Sequence, residues 1–132
     1  MTFDRINPAG LAAPRGFSHA VSTTRQHTVY LAGQTALDAN GKIVGDDVVS
    51  QFEQALSNLL AALAAAGGSG SDLATVTIYI VDMDDYLAHS REIGAVWKRL
   101  VGTDYPAMAG IGVSRLWDVE ALVEVQGIAA LD

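Results

Sequence analysis

Glu124 is the residue in this chain whose setting points to chemistry. It lies in the run Ala121–Leu131, where Val123, Val125, Gly127 and Ala129 share one face and Leu122, Glu124, Gln126 and Ile128 share the other. A period of two is that of a strand with one face buried against apolar partners. A carboxylate in the middle of such a strand needs a hydrogen-bonding partner, water or a reaction to serve. Two readings stand side by side: an acid/base or ligand anchor in a cleft, and a carboxylate paired structurally across an interface between copies. His19 alternates with Phe17 and Val21, so it is a second candidate for a cleft. His19, His27 and His89 show no ligand spacing, and the chain has no cysteine. Metal sites, disulfides and thiolate chemistry are therefore not expected, and no cofactor is implied. Ser18 and Ser114 have no His–Asp constellation near them in sequence, which argues against a serine nucleophile. Gly67-Gly68-Ser69-Gly70 follows a helical pattern and has no Lys-Ser/Thr after it, so it reads as a helix stop and not as a phosphate cradle.

The elements that must position these groups follow from periodicity. Residues 1–16, with Pro8, Gly10, Pro14 and Gly16, read as an arm or loop. Phe17–Thr24 and Thr28–Gln34 read as two strands joined in a hairpin. A first helix spans about Asp46–Ala66, its stripe being Val48, Phe52, Ala55, Leu56, Leu59, Leu63 and Ala66. Asp46 and Asp47 suit its first turn, and Gly67-Gly68 ends it. Leu73–Val81 alternates as a strand. A second helix spans about Asp84–Val101, and strands Ala107–Leu116 and Ala121–Leu131 close the chain. Trp117 falls in the turn between those strands and is expected to pack there. Two amphipathic helices can cover one face of a single sheet. The expected class is α+β, in one domain spanning residues 1–132. Along Ala107–Leu116, the face carrying Met108, Gly110, Gly112 and Ser114 is small and non-ionic. That face is expected to be bare of helices and to meet another copy of the chain.

Composition narrows the partners. The net charge is −7, from 8 basic and 15 acidic residues, with no Lys/Arg cluster. A nucleic-acid partner is thereby disfavoured. Only 17% of residues are charged, below the ~25% usual for soluble domains, which fits a surface partly covered by other subunits. The longest apolar run, Leu59–Ala66, is too short to span a bilayer. No signal peptide is read in Met1–Gly10, so the expected location is cytoplasmic, with no membrane partner.

Several stretches in order carry a family resemblance. They are Gly16-Phe17-Ser18-His19-Ala20-Val21, Gly33-Gln34, Leu37-Asp38-Ala39-Asn40-Gly41, Gln51–Gly67, Thr75–Asp85, Tyr105-Pro106-Ala107, Ser114-Arg115-Leu116 and Val123-Glu124-Val125. From about residue 14 onward the chain resembles the Rid (reactive intermediate deaminase, or YjgF) family. The resemblance implies a chorismate-mutase-like mixed sheet covered on one face by two helices. It also implies a homotrimer whose sheets form a barrel, with small-molecule ligands in clefts between subunits. Family members with deaminase activity hydrolyse 2-imino or 2-enamino acids to keto acids and ammonia. Carried over by position, Glu124 is the catalytic glutamate, and Phe17, Ala32, Gly33, Ser90, Met108 and Gly110 surround the substrate.

Five of these positions depart from the family's pattern. Met108 stands where an Arg holds the substrate carboxylate, Gly110 where Cys is frequent, Phe17 for Tyr, Ala32 for Ser and Ser90 for Asn. A guanidinium fork binds a carboxylate with two charge-assisted hydrogen bonds, and a thioether makes neither. The cleft is thus expected to be more apolar and to favour a neutral or aromatic ligand. The reading is a deaminase-like hydrolase of altered specificity; the alternative is a non-catalytic trimer binding a small apolar metabolite.

Overall fold

The structure, a computed structural model, describes residues 1–132. Along the chain come β1 (Phe3–Ile6), β2 (Ala20–Thr23), β3 (His27–Gln34), α1 (Val48–Ala65) and a short 3-10 turn at Gly70–Asp72. They are followed by β4 (Leu73–Ile80), α2 (Met83–Ala88), α3 (Ser90–Leu100), β5 (Ala107–Gly112) and β6 (Val123–Leu131). The main sheet is mixed, in the order β3-β6-β4-β5. Strands β4 and β5 run parallel, whereas β6 is antiparallel to both β3 and β4.

Helix α1 forms where the 3.6-residue stripe predicts it. Phe52, Ala55, Leu56, Leu59 and Leu63 are fully buried on its sheet-facing side, and each leucine contributes about 2 kcal/mol by leaving water. Asp47 caps it by accepting from the Ser50 N–H at 2.7 Å. Gly67 takes φ +92 and Gly68 N–H donates to Leu63 O at 3.0 Å, which turns the chain out of the helix. The buried residues of β4 (Leu73, Val76, Ile78, Ile80) and of β6 (Val123, Val125, Ala129) meet α1 and α3 in one core. In β6 the valines therefore face the helices and Glu124 faces away, as the alternation requires.

Five expectations change. The N-terminal arm is not all loop: β1 pairs antiparallel with β2, from Phe3↔Thr23 to Ile6↔Ala20. Both guanidinium groups of Arg5 and Arg25 lie over the Phe3 ring, at 4.8 and 4.7 Å, and hold this ribbon in place. The hairpin between the first two predicted strands does not form, because β2 goes to β1 and β3 to β6. The second helix is broken at His89 (φ −112, ψ 22). There the His89 ring lies 2.8 Å from Asp85 O and the Ser90 hydroxyl donates to Leu87 O at 2.6 Å, occupying carbonyls at the end of α2. Trp117 does not pack: it is 91% exposed.

The fifth change concerns the faces of the sheet. Met108, Gly110 and Gly112 pair with Val76, Ile78 and Ile80 of β4. They therefore lie on the helix-covered face. The bare face carries Ala107, Ala109 and Ile111 of β5, with Tyr30 of β3, Thr77 and Tyr79 of β4, and Glu124 and Gln126 of β6. Alternation within β5 is as expected, but the assignment of its two faces is reversed.

Candidate functional site

The residues expected to surround a ligand fall into two groups, one on each side of the sheet. The first group lies on the bare face. Strand β3 slips register between Leu31 and Gln34 against β6. The irregularity falls at Ala32 and Gly33, both exposed, and brings Gly33 against Glu124. A Cβ at Gly33 would collide with Glu124 Oε2, and would come within 2.8 Å of Cδ and 3.2 Å of Cγ. Glycine at this position lets the carboxylate lie against the β3 backbone. Bulges of this kind recur beside active sites, where they re-aim a side chain. Across the sheet, Tyr79 pairs directly with Glu124, and its hydroxyl donates to Gln126 Oε1 at 3.0 Å. The chain's ion pairs involve Arg25, His89 and Arg99 and their acidic partners, so the half-buried Glu124 carboxylate has no cation of its own protomer.

The second group lies at the β5 margin on the helix side. Ser18, which is buried, donates through its hydroxyl to Tyr105 O at 2.6 Å and through its N–H to Pro106 O at 2.9 Å. These two bonds fasten the Phe17 segment to the start of β5, so Phe17 comes beside Met108 and Gly110. The His19 ring stands edge-on to Phe17 at 5.1 Å, with Nε2 2.8 Å from Ala12 O. Behind Met108 a cavity of about 150 Å³ opens between α3 and the sheet, reaching Ser90, Gly94 and Trp97. A shallower hollow of about 340 Å³ forms its mouth and shares Gly16, Ile78, Tyr86 and Met108 with it. No charged side chain lines either one. Burial pushes the Tyr86 phenol up to about 12, which keeps it neutral. Phe17, Ser90, Met108 and Gly110 are thus gathered in one place, and Ala32, Gly33 and Glu124 in another.

Two residues that hold this arrangement are not legible as functional from sequence. Gln51 is 3% exposed. Its Oε1 accepts from Leu122 N–H at 2.8 Å, and its Nε2 donates to Gly45 O and Glu120 O, both at 3.1 Å. It ties the first turn of α1 to the residues entering β6, two positions before Glu124. Ser18 is the other. The one sequence signal for Gln51 is its place between Val48 and Phe52, at the edge of the apolar stripe; Ser18 has none. No three His, Asp or Glu side chains converge to hold a metal ion, and no helix is long and apolar enough to cross a membrane.

Comparison with known proteins agrees with this architecture. The family profile described as endoribonuclease L-PSP matches residues 8–131. A RutC family protein of Pyrococcus horikoshii is 36% identical over 102 residues, covering 76% of this chain and 77% of its own. The 2-iminobutanoate/2-iminopropanoate deaminase of Capra hircus is 33% identical over 119 residues, covering 89% and 82%. Among solved structures, a Rid-family protein of unknown function from Yersinia pestis superposes with a TM-score of 0.89. It is 36% identical and covers 99% of this chain and 100% of its own. The fold is therefore the α+β, mixed-sheet fold of that group. The chain belongs to the Rid (YjgF) family.

Proposed function

We propose that the protein hydrolyses a neutral imine or enamine in clefts between copies of a homotrimer. In each cleft Glu124 of one copy faces Met108, Gly110, Phe17 and Ser90 of the next. The observation that carries this reading is the division of the site. One protomer holds an acid on the bare face of its sheet and an apolar pocket on the covered face, so the two halves meet only if a second copy supplies one of them. The deaminase names of relatives at about one-third identity support the reaction type. Met108 in place of the family's anchoring Arg supports a substrate without a carboxylate.

The chemistry balances with one acid/base group. Water attacks the imine carbon as its proton passes to the Glu124 carboxylate. The C=N π pair moves to nitrogen, which takes that proton back from Glu124. Glu124 then takes the hydroxyl proton of the carbinolamine and delivers it to the amino nitrogen; the oxygen lone pair forms the C=O bond as the C–N bond breaks, and ammonia leaves with the C–N electron pair. Gly33 allows the carboxylate the room it occupies, and the apolar half excludes bulk water from the reacting carbon.

A coupled assay tests this. An amine oxidase generates a neutral imine in the presence of the protein, and 2-iminobutanoate serves as the charged comparison. The wild type is expected to accelerate hydrolysis of the neutral imine, and Glu124→Gln to reduce that acceleration about 10²–10⁴-fold. Activity untouched by the substitution would remove the mechanism. The second reading, a non-catalytic trimer that binds an apolar metabolite, draws on the same uncharged pocket. It predicts saturable binding with no turnover. A ribonuclease role is not adopted, because a chain of net charge −7 offers poor ground for a phosphate backbone.

A further inference from the structure

The cavity behind Met108 carries a specific inference about what the site accepts, and it rests on the proposed location of the site. Its volume is about 150 Å³. A mostly apolar space of that size has room for one benzene-sized group. The walls are flat and aromatic on one side, where Trp97 and Tyr105 stack with ring centroids 6.3 Å apart and an interplanar angle of 20°. Ile78 and Tyr86 line both the cavity and its mouth. Met108 also lines both and is half-buried; its unbranched thioether can shift to admit a guest.

Gly94 is the informative position. It lies inside α3 and lines the cavity, and a Cβ built on it meets no atom within 4 Å. Nothing steric demands glycine there, and an internal helical glycine costs about 1 kcal/mol relative to alanine. A side chain longer than alanine's at this position could reach the space behind Met108, which glycine leaves open.

We infer that this cavity is the side-chain pocket of the site and takes an uncharged, phenyl-sized group. The preferred substrates are then imines or enamines bearing an aryl or comparably sized cyclic substituent, not short 2-imino acids. The group fills the space between α3 and β4–β5 while the reacting C=N bond stays in the mouth.

Toluene is the probe, followed by NMR titration of the full-length protein, with Gly94→Leu to fill the cavity and Gly94→Ala as a control too small to fill it. Both substitutions add a helix former at a position where a Cβ meets no atom within 4 Å, and melting curves confirm that each variant is folded. The wild type and Gly94→Ala are expected to bind toluene saturably, and Gly94→Leu to bind about tenfold more weakly or worse. The inference is overturned if folded Gly94→Leu binds toluene like the wild type, or if the wild type shows no saturable binding up to the solubility of toluene. Glu124→Gln separates this inference from the proposed function, since it should leave toluene binding intact while abolishing turnover. Toluene binding without any imine hydrolysis would keep the pocket and discard the reaction. Hydrolysis that ignores Gly94→Leu would keep the reaction and discard the pocket.

Discussion

Replacing Gln51 with leucine tests whether one buried amide sets the entry into β6. Leucine is one atom shorter than glutamine and keeps α1 helical, so the change removes chiefly the hydrogen bonds. Three are lost: Leu122 N–H loses its acceptor at 2.8 Å, and Gly45 O and Glu120 O lose their donor at 3.1 Å. The two carbonyls belong to exposed residues and can turn to water, so each accounts for about 0.5–1 kcal/mol. The Leu122 N–H sits beneath the α1 turn, and a buried donor left unmade costs about 1–3 kcal/mol. Burying the leucine methyls offsets about 1 kcal/mol. The net loss comes to about 2 kcal/mol. For a chain of this length that corresponds to a fall in Tm of roughly 6–10 °C. Urea unfolding at fixed protein concentration is the assay, because stability of an oligomer moves with concentration. Gln51→Glu sharpens the test: its carboxylate can still accept from Leu122 N–H, but it buries a charge and sets an oxygen against the Gly45 and Glu120 carbonyls, so it should cost more than Gln51→Leu. A Gln51→Leu loss below about 0.5 kcal/mol, the range of an ordinary surface change, would refute the clamp.

Three further outcomes follow from the geometry. Gly33→Ala forces the Glu124 side chain off its place, so imine turnover should fall steeply. The unfolding free energy should change by under about 1 kcal/mol, since the displaced atoms end a flexible side chain; unchanged turnover would mean that the carboxylate position is irrelevant. Phe3→Leu removes the ring under two guanidinium groups, at about 0.5–1 kcal/mol each. It should weaken amide exchange protection in β1–β2 before the main sheet, whereas uniform loss would contradict the local staple. The His89 pKa is raised by the hydrogen bond to Asp85 O, with further help from the Asp85, Glu92 and Asp47 carboxylates. A raised folded value stabilises most below the unfolded value and least above the folded one. The melting-temperature difference between wild type and His89→Asn should therefore be full in mild acid and shrink as pH rises through the folded value; a pH-independent difference would exclude the linkage.

Sequence reading recovered elements in proportion to how locally each is determined. α1 was legible because its cap, stripe and glycine stop are all local. β4 and β6 were legible because β-branched alternation runs through eight and nine residues respectively. β1 was not legible, because its four residues are held by pairing with β2 and by Arg25 reaching back over Phe3, and not by a pattern of their own. The hairpin was misread because Thr24–His27 has turn chemistry, whereas the partner of β3 lies about a hundred residues downstream. The break at His89 depends on side chains taking carbonyls from the helix, an alternative that residue types permit without requiring. Gln51 looked like one more polar residue on a helix until its three backbone partners were known. The Rid resemblance was read correctly from ordered motifs, none of which is decisive alone.

The deeper gap concerns the two faces. Alternation shows which residues of one strand share a side. It does not show which sides of two strands coincide, and that depends on register. Here Val76↔Met108 and Tyr79↔Glu124 fix the answer, because Val76 and Tyr79 lie on opposite faces of β4. A methionine and a glutamate that sequence logic had placed in one cleft therefore stand on opposite sides of a sheet. No rotamer change within the chain brings them together, since side chains leave a sheet roughly perpendicular to it. The exposed apolar surface has the same geometry. Tyr30 at 78% and Ile111 at 44% exposure flank the polar residues of the bare face, and surface of that kind calls for a protein partner. A second copy covering it would shield Tyr30 and Ile111 and set an apolar pocket opposite a carboxylate. On the proposed trimer each half supplies what the other lacks, which would make assembly a requirement for the proposed chemistry.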